Sequence, residues 1–550
     1  MSKKRKSVVQ LATEAEARVK LETARFKLDR IKMAKKASRA AFSTHQAASR
    51  NRSNRDWRAA NVSADSEIIE DLPVLVARAR QMVRDDAYAA SIVRAFKRNV
   101  IGRGISPSFA ARGPDGKSLE VFNRMADEAW FDWSSRAELA DVERRRTFAQ
   151  IQQWVAGELV ITGEALVIWS YDADRAAANR LNGLVLQCVE SEQLNTTIIT
   201  YNGNEVRGGV EVDHFGGAVA YHFWTRHPND HTGGYYDGAR WKTPDRIPDE
   251  PNGDEKSHIN GSAAARSIRV EANRVMHIFD PERARQSRGV SRLRSVMMRL
   301  RDISQFEYAE LVKARAQACI GMAIESEPIN QQFLGLEPGS GIEEQDSDGN
   351  DELSAQPLMV ARLSPGEKIQ AFAPTSPGGQ FGPFMMAELR SVAAGVGLSY
   401  EQIARDFSQG TYSSQRQGML EDRREWGPLQ ELIIRRFCQP VLEQFVEWSV
   451  AEGRLPAPGF AQQPTRFTYA EWMPDGWQWI DPAKEAQAAQ IALDANLDTK
   501  QRLMLERGLD WREVARQRAE EKAFETKVTG EAAEPTGVPV DAPVEEEAPA

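Results

Sequence analysis

Between residues 412 and 450, apolar side chains recur at steps of three and four: Trp426, Leu429, Ile433, Phe437, Val441, Phe445 and Trp448. That spacing puts them on one face of a helix. At 1.5 Å per residue the helix spans roughly 55 Å, more than an ordinary globular domain requires. Pro428 and Pro440 lie within the stripe without breaking its phase, so they are expected to bend the helix rather than end it. Upstream, Pro383 opens a shorter helix rich in small residues, FMMAELRSVAAGVG, which Gly397 ends. The stretch 399–414 has no sustained apolar stripe, carries Gly410 and a Ser/Thr cluster, and reads as a polar loop between the two helices.

The rest of the chain alternates between helical and strand periodicity. Asp71 and Pro73 open a helix through Val83, and Asp86 opens another that carries Ile92, Val93 and Phe96 to a stop at Gly102. Helical patterns continue through Trp130 and Trp154. Strand patterns then take over in ALVIWSY, VLQCVES, TTIITY, GGVEVD, AVAYHFWT and RVMHIFD, separated by Gly, Asn and Asp turns. An α+β domain is expected for Asn61 to Asp280. A second long helix is expected over 292–318, with Leu293, Met297, Leu300, Ser304 and Leu311 near one face. Short strand candidates, PLMVARL and KIQAFAP, come after the acidic GIEEQDSDGNDE. After Val450 come a Pro/Gly/Gln linker, the aromatic EWMPDGWQWIDP and a helical region from Pro482 to Lys527. The fold class is α+β, helix-rich, with no internal repeat.

Charge changes this picture at the two ends. Residues 1–60 hold 17 Lys and Arg against 5 Asp and Glu, while the whole chain is at −8, so the remainder is acidic. Val8 to Phe42 reads as a basic helix, either a solvated tether or an arm for nucleic acid or a partner protein. The acidic body excludes a generic nucleic-acid binder. The tail after Lys527 has six acidic residues, no basic ones and four prolines, and is expected to stay disordered. Cys188, Cys319 and Cys438 lie far apart in apolar stretches and read as buried thiols. No run approaches the apolar length of a membrane span, and the N-terminus lacks the apolar block of a signal peptide. A soluble protein made in the cytoplasm is expected.

Candidate chemistry is sparse. GPDGKS at 113–118 lacks the glycine of a phosphate loop, because Ala111 stands there, and it reads as a surface turn. Asp346, Asp348, Asn350 and Glu352 miss the calcium-loop pattern, with Asp351 where glycine belongs and Pro357 where glutamate belongs. His227 and His231 are four apart, but Pro228 and Asn229 argue against the helix that would pair them, while His214 and His222 flank a strand. GISPS at Gly104 fails the serine elbow at its last position. No catalytic residue, metal site or cofactor is expected.

The order of small-residue helix, polar loop and long kinked helix, with the wording FSQGTYSSQRQGMLEDRREW, resembles the lambda-type portal family of tailed bacteriophages. RARQMVRDDAYAASIVRAFKRNVIGRGI, DVERRRTFAQIQQWVAGELVITGEALV, RGVSRLRSVMMRLRDISQFEYAELVKARAQA and WQWIDPAKEAQAA resemble it in the same order. The resemblance implies a portal-like architecture: basic arm 1–60, α+β wing 61–285, stem helices 286–323 and 378–397, and a clip insertion at 324–377. A tunnel-like loop at 398–412, the long kinked helix 413–450, a helical crown 451–527 and the acidic tail 528–550 complete it. It also implies a ring of about twelve copies at one capsid vertex of a virion, assembled in the host cytoplasm. On the same resemblance, double-stranded DNA is expected to pass through the channel during genome packaging and ejection. The partners it implies are the terminase large subunit, a head-tail connector protein and the major capsid and scaffold proteins, with no membrane. Arg405, Ser408, Gln409, Thr411, Tyr412 and Arg416 are then the residues expected at the channel. Trp426, Leu429, Ile433, Phe437, Phe445 and Trp448 are expected in packing or at subunit interfaces. A scaffold or adaptor of capsid assembly and a DNA-processing enzyme are the alternatives.

Overall fold

The computed structural model describes residues 25, 27–33, 59–179, 182–224, 227, 267–324, 344–345, 351–352, 359–362, 381–408, 410–477 and 481–529. The chain divides into two units, Met1–Ser63 and Ala64–Ala550. In the first, 27–33 is helical and exposed, and most of the expected basic helix lies outside the described residues. The second unit holds the sheets and the long helices.

Its helices begin where local chemistry permits. Leu72–Asp85 has Pro73 in its first turn, though Asp71 makes no side-chain cap. Asp86 breaks that helix in an extended conformation and caps the next, Ala87–Phe96, by accepting the Ala89 N–H at 2.7 Å. A π-helical turn, Lys97–Ile101, carries the chain to Gly102. Thr147 and Gln150 form a reciprocal capping box at the start of Phe148–Ile161.

The strands are β1 (Ser106–Phe109), β2 (Glu164–Tyr171), β3 (Leu184–Val189), β4 (Thr200–Tyr201), β5 (Asn204–Arg207), β6 (Val210–Val212), β7 (Ala218–Trp224), β8 (Ser267–Glu271) and β9 (Val275–Phe279). They form a three-stranded sheet ordered β3-β2-β9 and a five-stranded sheet β4-β5-β6-β7-β8, antiparallel throughout. Strand alternation lets β2 serve two cores: Ala165 and Val167 join the main helical core, while Leu166 and Ile168 join a second core with Val210, Tyr221 and Phe223. At the start of β2, buried Glu164 accepts Arg288 Nε at 2.9 Å and the Gly289 N–H at 2.7 Å, and lies 2.9 Å from His277 Nε2. Burial alone would raise its pKa; Arg288 and His277 bring it to about 2. Gly163 sits beside this anchor at φ +89°, and a Cβ there would come within 2.1 Å of the Val290 carbonyl.

The second long helix runs Met297–Cys319, starting about a turn later than periodicity predicts, because the Arg292 N–H is tied to the Val160 carbonyl at 3.1 Å. Leu293, Met297 and Leu300 are buried, whereas Leu311 is exposed. In 325–380 the described residues are three short strands, β11 (Glu344–Gln345), β12 (Asp351–Glu352) and β13 (Met359–Arg362); β10 (Ile320–Ile324) pairs in parallel with β13. Most of the acidic loop lies outside the described residues.

The helix Phe381–Val396 leads to Gly397 at φ +74°. The long helix then runs Tyr412–Ile433, passes through a π-helical turn at Ile434–Cys438 and continues as Gln439–Ala451. The π turn ends two residues before Pro440, whose ring and missing N–H disfavour an ordinary turn over the preceding residues, and Pro428 is accommodated without a break. Its apolar face meets the helix Phe148–Ile161 through Phe437 stacked on Phe148 at 5.4 Å, and Trp130 and Trp133 close on Phe445 at 5.1 and 5.5 Å.

The stretch after Val450 is more than a linker. β14 (Ala470–Met473) pairs antiparallel with β1, Ser106 opposite Met473. Asp475 accepts the Arg103 N–H at 3.0 Å, and Trp477 donates to the Asn99 carbonyl at 3.1 Å with its ring 6.1 Å from Trp426. The helices Pro482–Asp494, Lys500–Leu505 and Trp511–Thr529 come next, with Ile491, Leu497 and Phe524 exposed.

Candidate functional site

The polar stretch after Gly397 is shorter as a loop than its composition indicates. Tyr400–Ala404 forms a short helix because Gln402 and Ile403 bury against Ala87–Phe96: Ser91 Oγ donates to the Gln402 carbonyl at 3.4 Å, and Arg98 donates to its side-chain oxygen at 3.1 Å. Burial, then the nearby Arg405 charge, lowers the Arg98 pKa. Arg405 ends the short helix in the left-handed region at φ +57°. The loop proper is 405–411.

Three polar anchors hold it. Asp422, on the long helix and only 3% exposed, accepts the Ser399 N–H at 2.7 Å and its hydroxyl at 2.6 Å. Burial nevertheless pushes the Asp422 carboxyl above its ordinary range. Asp406 accepts the Ser408 hydroxyl at 2.6 Å, the Ser408 N–H at 3.0 Å and the Tyr400 hydroxyl at 3.1 Å, and these bonds lower its pKa, the Ser408 hydroxyl foremost. Gln415 reaches back to donate to the carbonyls of Phe407 at 3.0 Å and Gly410 at 3.4 Å. Thr411 caps the long helix by accepting the Ser414 N–H at 3.3 Å.

Of the residues singled out for the channel, Arg405, Ser408, Thr411 and Tyr412 are exposed together on this loop and the helix start. Arg416 is half-buried and faces a cleft under the loop. Gln409 lies outside the described residues. Of the residues expected in packing or at interfaces, Trp426, Leu429, Ile433, Phe437 and Phe445 are at most 3% exposed within one chain. Covered by the chain's own helices, they build its core and cannot face a second copy. Trp448 is half-buried, stacked on Tyr171 at 4.5 Å. Sequence reasoning missed Asp422 and Gln415. A signal for Asp422 was present, since it stands four residues before Trp426 and seven before Leu429, a carboxylate in phase with the apolar stripe.

Other candidates dissolve into structure. His222 is buried beside Glu211 at 3.2 Å, its pKa lowered by burial, and His214 is exposed; His231 lies outside the described residues. Gly113–Lys117 is a surface turn closed by a 2.7 Å backbone bond. Burial pushes the Cys188 and Cys438 thiols well up, away from reactivity. Among the described residues no cluster of His, Cys, Asp and Glu is placed to hold a metal, and no helix is long and apolar enough to cross a membrane.

The family profile described as phage portal protein, lambda family, matches residues 50–430. The probable portal protein of Halomonas phage phiHAP-1 is 28% identical over 87% of this chain and 86% of its own length. Portal protein B of Escherichia phage lambda is 24% identical over 85% of this chain and 86% of its own. The backbone also aligns with a chain from the neck of a native gene transfer agent particle, at 13% identity and a TM-score of 0.38, covering 80% of this chain and 99% of that one. That superposition is loose, so the assignment rests on the sequence matches.

Proposed function

The chain belongs to the lambda family of phage portal proteins, and from that premise we propose that it is one subunit of a ring of about twelve copies at a single capsid vertex. The ring is a conduit through which double-stranded DNA passes during packaging and ejection. Its role is structural: a separate terminase supplies the motor at the end carrying 324–377, and a head-tail connector protein docks after packaging. The basic arm meets capsid or scaffold proteins.

The observation that carries this reading is the loop 405–411, within the matched region, exposed at its tip and tied at its base by Asp422, Asp406 and Gln415. Its exposed groups are mostly hydroxyls and rings. Such groups make weak, exchangeable contacts, whereas many phosphate neutralisations would grip a duplex and resist sliding. Two measurements test the reading. Native mass spectrometry should give a multiple of 61.5 kDa near twelve. Photo-crosslinking from a probe at position 413 should capture DNA during packaging; a monomer, or a ring whose loop never touches DNA, refutes it.

A further inference from the structure

Under the loop lies a cleft of about 150 Å3 that the conduit role leaves unexplained. Phe407 and Tyr412 line it and are 52% and 57% exposed, large rings left in solvent on an otherwise polar loop. Its other walls include Glu401, the buried Asp422 and, of opposite charge, Arg416. At roughly 30 Å3 per water the volume holds about five waters, room for one planar base but not a base pair.

We propose that this cleft takes a single unpaired nucleobase at a DNA end, stacked on Phe407 and Tyr412, with its exocyclic amino group donating to Asp422 or Glu401. The inference rests on the channel reading above. Base–aromatic stacking is how proteins hold unpaired nucleic acid without reading its sequence. Each Asp422 oxygen accepts one bond from Ser399 and keeps a lone pair for another donor. The exocyclic amino groups of cytosine, adenine and guanine supply that donor; thymine has no amino group, offers only its ring N3–H between two carbonyls, and is disfavoured. Arg416 is the cation available for the adjoining phosphate. A base inside a duplex would have to be unstacked and unpaired to enter, so the sliding duplex passes by and only a frayed or single-stranded end is caught.

The test uses assembled rings and fluorescently labelled duplexes with either a blunt end or a short overhang of dC, dA or dT, read by anisotropy. Cytosine and adenine overhangs should bind about tenfold more tightly than the blunt duplex, and Phe407→Ala or Tyr412→Ala should each remove most of that gain. Phe407→Trp should retain it, and native mass spectrometry should show every variant still in rings. Equal binding of blunt and overhanging ends overturns the proposal, as does an overhang preference indifferent to Phe407→Ala, including the case where a neighbouring copy's side chain fills the cleft. An internal iodouracil in the duplex, crosslinked during packaging, separates the two readings. Crosslinks to the loop without end preference remove only the base cleft; no crosslinks anywhere on the loop remove the channel reading as well.

Discussion

Asp422 and Ser399 hold the two helices flanking the exposed loop in register: one carboxylate accepts both the backbone N–H and the hydroxyl of Ser399, at 2.7 and 2.6 Å. Burial raises the Asp422 pKa, so its charged form is the costly one. Asp422→Ala should lose about 1–3 kcal/mol by leaving the Ser399 donors without their acceptor. Asp422→Asn, which still accepts one bond, should be near neutral or stabilising. Denaturant unfolding of both variants at neutral pH checks the order; equal destabilisation would show that the charge itself is needed.

Asp127 gives a pH dependence with a definite sign. It accepts the Phe109 N–H at 3.0 Å near Asp510, and burial, more than its neighbours, raises its pKa from 3.8 to about 7. A raised carboxyl pKa means the folded protein holds the proton more tightly than the unfolded chain. Its stabilising contribution is therefore complete below pH 3.8 and is lost as pH rises through about 7. Asp127→Asn should flatten the stability profile between those limits. Melting temperatures across the range, wild type against variant, decide it; parallel curves would mean Asp127 titrates normally.

Phe437 and Trp426 are buried to within 1% in one chain, so each substitution by alanine should cost about 3–5 kcal/mol. Trp448→Ala, removing a half-buried ring stacked on Tyr171, should cost less. Because the first two are core rather than interface, the loss should appear as thermal destabilisation of the subunit rather than as dissociation of otherwise folded rings. Thermal shift combined with native mass spectrometry distinguishes the two.

Deleting Ser408–Gly410 should leave folding and assembly close to wild type, since the segment adds little apolar burial, while DNA packaging or retention fails. Extending the deletion to Thr411 removes the helix cap and should cost about 1 kcal/mol more. Rings with the shorter deletion that package and retain DNA normally would return the loop to a plain connection.

The parts of the fold legible in the sequence are those written in local periodicity. The stripe from Trp426 to Phe445 locates the long helix and its buried face, and alternation from ALVIWSY to RVMHIFD locates most of both sheets. What the sequence hides is pairing across distance. Ser106–Phe109 is four residues long with Pro107 among them, too short for an alternation to show, and it becomes a strand only because Ala470–Met473 lies beside it. The candidate loop was legible as polar, but its anchors were not, because Asp422, Gln415 and Asp406 gain their roles only once the two helices fold back on each other. The short helix Tyr400–Ala404 was hidden too, because what marks it is the burial of Gln402 and Ile403 against a distant helix rather than a sustained apolar stripe.

The pairing of β1 with β14 also dictates when the subunit is finished. Most of the chain is synthesised between the two strands, so the edge of β1 must wait uncovered until its partner leaves the ribosome. The same late segment supplies Asp475 for Arg103 and Trp477 for Asn99. A nascent chain therefore lacks the partner for β1, and the side chains that tie down Arg103 and Asn99, until the segment 470–477 has been made.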